Sequence, residues 1–261
     1  MPSTFSSSEK ALAWSVHIFT ATGVLAVFMA LLAVSAHDFR AAMFWLLAAL
    51  LIDGVDGTLA RRFRVEEVLP HVSGKNIDFV IDFAAYAIVP AYMIYESGLM
   101  DGSWNLGVTF LILLVSAVYY GKEGMVSDDY YFVGFPVMWN MAAFYMIFVF
   151  QWGHWGNVLL VVGLSILHFV PIKVAYPRQA RYWRWPTLAV SAVCILTLVG
   201  ITYLYPDRNV WLAVLAWGCL VYFAVFVVRA TWLRPGLNCY VFYLRTLVIE
   251  LLNLLKTGIV G

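Results

Sequence analysis

Four aspartates carry the chemistry this sequence is equipped to do. Asp53 and Asp56 stand three residues apart and Asp78 and Asp82 four, each pair set in otherwise apolar sequence. On a helix either spacing puts both carboxylates on one face. Four acids facing one another in a low-dielectric bundle cannot all stay ionised without a counter-charge. Two divalent cations would supply it, and a donor set of oxygens without His or Cys favours Mg2+ or Mn2+ over zinc. The rival reading pairs the acids with Arg61, Arg62, Arg64 and Lys75 as a solvated rim. That accounts for one or two acids, not for two facing pairs in apolar sequence.

The neighbours of the acids suit a phosphorylated substrate. Gly54, Gly57 and Ala60 strip bulk from the helix beside the first pair, so a ligand can approach the backbone. Arg61 follows, and a guanidinium holds phosphate through paired hydrogen bonds. Gly74 comes just before the second pair.

The elements that must position these residues are membrane helices. Of 261 residues, 63% are hydrophobic and only 12% charged, where a soluble domain carries about 25% charge. A single domain of this size has too little polar surface to cover so much apolar material. The composition excludes a soluble enzyme, a secreted disulfide scaffold and a disordered regulator. Trp and Tyr, abundant here, gather at bilayer interfaces. Cys194, Cys219 and Cys239 lack metal-ligand spacing and read as small buried hydrophobes. A net charge of +1 suggests no nucleic-acid partner. Residues 1–10 are polar and the first apolar stretch outruns a signal-peptide core, so no cleaved leader is expected.

A spanning helix needs about 20 mostly apolar residues. That ruler predicts spans at 13–36, 41–60, 76–96, 104–120, 132–152, 156–172, 186–205 and 210–229. With eight spans, Lys10, the Arg61–Lys75 loop, Lys122, the Lys173–Arg184 loop and the C-terminal basic residues share one side, and only Arg40 and Arg208 fall on the other. The positive-inside rule makes the shared side cytoplasmic, with both termini and all four acids near it. Residues 240–257 gather Arg245, Thr246, Glu250, Asn253 and Lys256 on one arc and read as an interfacial helix. The expected fold is all-α: a polytopic membrane protein of about eight transmembrane helices with a C-terminal interfacial helix, one domain over 1–261.

Written out, the central segment is Asp53-Gly54-Val55-Asp56-Gly57-Thr58-Leu59-Ala60-Arg61, twelve residues, then Gly74-x-x-x-Asp78-x-x-x-Asp82. It resembles the signature of the CDP-alcohol phosphotransferase family, D-x-x-D-G-x-x-A-R followed by G-x-x-x-D-x-x-x-D. The long spacer, the extra spans, Gly54, and the segments Val16-His17-Ile18-Phe19-Thr20-Ala21-Thr22-Gly23 and Phe135-Pro136-Val137-Met138-Trp139-Asn140 are similar to the bacterial phosphatidylcholine synthase branch. The resemblance implies that Asp53, Asp56 and Asp78 ligate two Mg2+ or Mn2+ ions, with Asp82 serving the second ion or acting as the base. It implies that the metals clamp the diphosphate of CDP-diacylglycerol, that Gly57, Ala60, Arg61 and Gly74 accommodate nucleotide and phosphates, and that an alcohol attacks with CMP leaving. It also implies a homodimer in a bacterial inner membrane.

In that branch the alcohol is choline, whose trimethylammonium group cannot donate a hydrogen bond and needs aromatic faces or carboxylates. Tyr86 lies four residues beyond Asp82, and Trp139 and Asn140 fall in the fifth span at comparable depth. Glu123, Asp128 and Asp129 occupy the loop before that span. His17, near the start of the first span, could reach the nucleotide; His37, His71, His154 and His168 show no partner pattern. Serine, inositol or glycerol phosphate are the alternative acceptors, with Arg178, Arg181 and Arg184 available to a phosphate. A cation transporter would need polar residues across the membrane, but residues 83–90 are Phe-Ala-Ala-Tyr-Ala-Ile-Val-Pro. A prenyltransferase would hold its aspartates in loops.

Overall fold

A computed structural model describes residues 5–122, 131–175 and 184–232. The first three long helices open on side-chain caps. Helix α1 (Ser7–Ser35) starts from a capping box in which Ser6 and Glu9 satisfy each other's backbone amides. It bends at Thr22, whose hydroxyl donates to the Phe19 carbonyl at 2.6 Å. The Asp38 side chain accepts from the Ala41 amide to open α2 (Phe39–Arg62), and Ser73 does the same through Asn76 for α3 (Gly74–Glu96). Then come α4 (Gly102–Tyr120), α5 (Trp139–Phe150), α6 (His154–Leu167), α7 (Arg184–Leu204) and α8 (Val210–Trp232). The protein is an all-α, multi-pass membrane protein.

Six of these helices are long and apolar enough to cross a membrane. The spans expected at 132–152 and 156–172 are shortened. α5 has 12 residues and α6 has 14, about 18 and 21 Å against a hydrocarbon core of about 30 Å. α5 begins only at Trp139 because Gly134 holds φ +91° and Pro136 disfavours a helical residue before it. Past α6, Pro171 turns the chain out of helix. The freed segments pair instead. Strand β1 (Tyr131–Val133) lies antiparallel to β2 (Lys173–Ala175), with Phe132 opposite Val174. No periodicity in the sequence announced this ribbon. The expected interfacial helix at 240–257 lies outside the described residues, as do Glu123, Asp128, Asp129, Arg178, Arg181 and Cys239.

α3 is the central helix. Beyond its first turns Ala85, Ala87, Val89, Ala91, Met93 and Ile94 are buried among α1, α2, α4 and α5. Between Ala84 and Ile88 it widens into a π turn, in which the Val89 amide donates five residues back to Ala84. Pro90, with no N–H to give Tyr86, is the local cause. α1 runs beside α3, with Gly23 against Ile81 and His17 against Gly74. A second, smaller core joins Ala13 and Val16 of α1 to Val65 and Val68 of the single helical turn linking α2 to α3.

Gly134 is fixed by a close approach: a Cβ there would collide with the His168 carbonyl oxygen. Gly134→Ala is therefore expected to destabilise the protein by more than about 2 kcal/mol, through strain and overpacking. The check is thermal unfolding in detergent beside Gly107→Ala, a helical site whose added methyl meets nothing within 4 Å, and which should hold the midpoint or raise it.

Candidate active site

The acids converge where α2 ends and α3 begins. One carboxylate oxygen each from Asp53, Asp78 and Asp82 lies within 4.8 Å of the others, and all three side chains are half-buried. Asp53 and Asp78 come within hydrogen-bonding reach of one another. The fourth acid, Asp56, is buried at 7% exposure one turn along α2 and interacts electrostatically with the other three. The Tyr86 hydroxyl donates to Asp53 Oδ2 at 2.8 Å, tying the π turn of α3 to the acid of α2.

This donor set fits a hard divalent cation. Oxygens on opposite sides of a Mg2+ ion are about 4.2 Å apart, and about 5 Å around the larger Ca2+. Three oxygens within 4.8 Å need only a small closure to share one ion. The cluster could hold a metal.

The flanking glycines are placed for what lies over them. The Arg61 guanidinium folds back one turn, 3.5 Å from where a Cβ on Gly57 would stand. A Cβ on Gly74 would stand 3.2 Å from Cε1 of His17. The structure thus brings His17 to a position one helical turn before Asp78. His17 is 4% exposed and its buried Nε2 has no hydrogen-bond partner among the described residues. Ala60 packs into the small core with α1. Arg64, in the left-handed conformation at φ 49°, pairs with Glu9 at 3.5 Å and Glu67 at 3.6 Å. These pairs are exposed and weak, so burial of Val65 and Val68 does most of the work of fixing the linker.

Trp139 and Asn140 are positioned differently from expectation. Trp139 is the first residue of α5, not two turns inside a helix, and is completely buried. Its indole N–H donates to Ser116 Oγ at 2.9 Å and its ring stacks on His168 at 5.3 Å. Asn140 Oδ1 accepts from the Met141 amide. Tyr120 is the residue sequence reasoning missed. It ends α4 close enough to Asp82, Asp78 and Asp53 to feel their charge, and its ring meets Phe79 and Phe83 edge-to-face at 5.9 and 5.8 Å. The available signal was its place at a helix end on the same side as the acids, which an interface anchor shares. Past Asp82 the helix enters the apolar core.

No family model matches the chain. The phosphatidylcholine synthase of Rhizobium meliloti is 36% identical over 219 residues, covering 83% of this chain and 90% of the relative. That of Pseudomonas aeruginosa is 38% identical over 189 residues, covering 72% and 79%. That of Bradyrhizobium diazoefficiens is 41% identical over 186 residues, covering 70% and 68%.

Asp78→Asn removes one of three closely spaced charges without changing side-chain volume. Mn2+ affinity of the purified protein, followed by electron paramagnetic resonance, should fall about tenfold or more. Unchanged affinity would remove Asp78 from the ligand set.

Proposed function

Because the chain belongs to the phosphatidylcholine synthase family, we propose that it transfers the phosphatidyl group of CDP-diacylglycerol to choline, releasing CMP. The observation that carries this reading is the convergence of Asp53, Asp78 and Asp82 within 4.8 Å, at the end of the bundle where the Arg61 guanidinium folds over Gly57. Asp53, Asp56 and Asp78 would hold two Mg2+ or Mn2+ ions, with Asp82 beside them as the base. When bound, these neutralise the diphosphate and ease departure of the leaving group.

The chain's own groups do the rest. Arg61 binds phosphate oxygens across Gly57, which has no side chain to keep the guanidinium from folding back. His17, held against Gly74, lies on the nucleotide side. The choline hydroxyl oxygen attacks the β-phosphorus, the bond from that phosphorus to the CMP oxygen breaks, and the hydroxyl proton passes to Asp82. Of the two acids of α3, Asp82 lies one turn further than Asp78 from the Gly74 end, which suits a base. Tyr86 fixes the orientation of Asp53.

The basic residues near the acids support a cytoplasmic location for this end of the bundle and both termini, in a bacterial inner membrane. The acyl chains then stay in the inner leaflet. A homodimer is the proposed assembly.

A panel of labelled alcohols offered with CDP-diacylglycerol in detergent should show turnover of choline and not of serine, inositol or glycerol phosphate. Serine or inositol turning over in its place would cancel the choline assignment. Asp82→Asn should lose about a thousandfold or more in turnover while CDP-diacylglycerol binding stays within about threefold. Full activity in that variant would refute its role as base.

A further inference from the structure

We infer that Tyr120 is the aromatic side chain that holds the quaternary ammonium of the acceptor, an assignment that rests on choline being the alcohol. A trimethylammonium group offers no N–H, so its recognition falls to ring faces and to carboxylates at a distance. Of the aromatic candidates, Tyr86 has its hydroxyl committed to Asp53, and Trp139 is sealed in the core with its N–H on Ser116 and its ring stacked on His168. Tyr120 is only half-buried and lies beside Asp82 and Asp78. It sits at the same end of the bundle as the acids, with Phe79 and Phe83 edge-to-face beside it.

A second observation shows that this wall accepts a cation. The Lys75 ammonium sits over the Phe79 ring, 5.3 Å from its centroid. Phe79 adjoins Asp78 in sequence, so an alkylammonium already rests on the aromatic surface next to a candidate metal ligand. A cation held by Tyr120 would lie between the rings and the acids, with its hydroxyl arm free to reach Asp82.

The test compares choline with its uncharged carbon analogue, 3,3-dimethylbutanol, in wild type, Tyr120→Leu and Tyr120→Phe. In Tyr120→Leu the KM for choline should rise about tenfold, whereas Tyr120→Phe, which keeps the ring, should stay within about threefold. The KM for CDP-diacylglycerol and kcat/KM for the neutral analogue should each change less than about twofold, because neither depends on a ring-bound charge. Should Tyr120→Leu fail to fold, judged by thermal unfolding, Tyr120→Met supplies the same comparison. An unaltered choline KM, or equal losses for choline and its neutral analogue, would overturn the role of Tyr120 while leaving choline as substrate. Absence of choline turnover in wild type would overturn both.

Discussion

Mutual repulsion among closely spaced carboxylates is the constraint on which the rest of this molecule depends. Three acids within 4.8 Å, with a fourth buried alongside, in helices otherwise made of Leu, Val, Ile and Phe, form an arrangement a membrane protein avoids unless charge arrives to balance it. Among the described residues no basic side chain is seen paired with the cluster. Arg61 is turned over Gly57, Arg64 is engaged with Glu9 and Glu67, and Lys75 lies on Phe79. The basic residues surround the cluster without entering it, and this sets the site apart from a solvated rim of ion pairs.

Holding such a cluster together falls to apolar packing at its edges. α1 touches the last turn of α2 through Ala60, the linker through Val65 and Val68, and the first turns of α3 through Gly74 and Ile81. It therefore spans both halves of the acid motif without contributing a carboxylate. On the other side the π turn of α3 directs the Tyr86 hydroxyl to Asp53. The wide turn follows from Pro90, one turn further on, so a backbone defect caused by one residue serves the orientation of another.

The site was more legible in the sequence than its surroundings were. Spacings of three and four on helices, a short linker and a run of small residues are local rules, and they place Asp53, Asp78, Asp82, Gly57 and Gly74 without tertiary knowledge. The limits of α5 and α6 were not legible, because hydropathy counts apolar residues and takes no account of the backbone at Gly134, Pro136 and Pro171. The ribbon pairs segments some forty residues apart through three residues each, too short for periodicity to register. Tyr120 and the His17–Gly74 contact depend on which helix lies beside which. For Trp139 the sequence marked a residue that matters to the core: its hydrogen bond to Ser116 and its stack on His168 join α4, α5 and the end of α6.

The depth of the acids also suits a substrate that belongs to two phases. Two residues beyond Asp53 and Asp78 along their helices, Val55 and Val80 point to the opposite faces and are 46% and 69% exposed. One face of each helix thus presents carboxylates to the interior while the other presents aliphatic surface at the same level. For a nucleotide diphosphate carrying two acyl chains, that is the division required: its charged part reaches the acids from the aqueous end of the bundle, and its chains remain against apolar side chains. Moving the acids a full turn deeper would bury the diphosphate in hydrocarbon, and moving them out would lift the chains into water. Their position within the first turns of α3 and the last turns of α2 follows from having to meet both conditions at once.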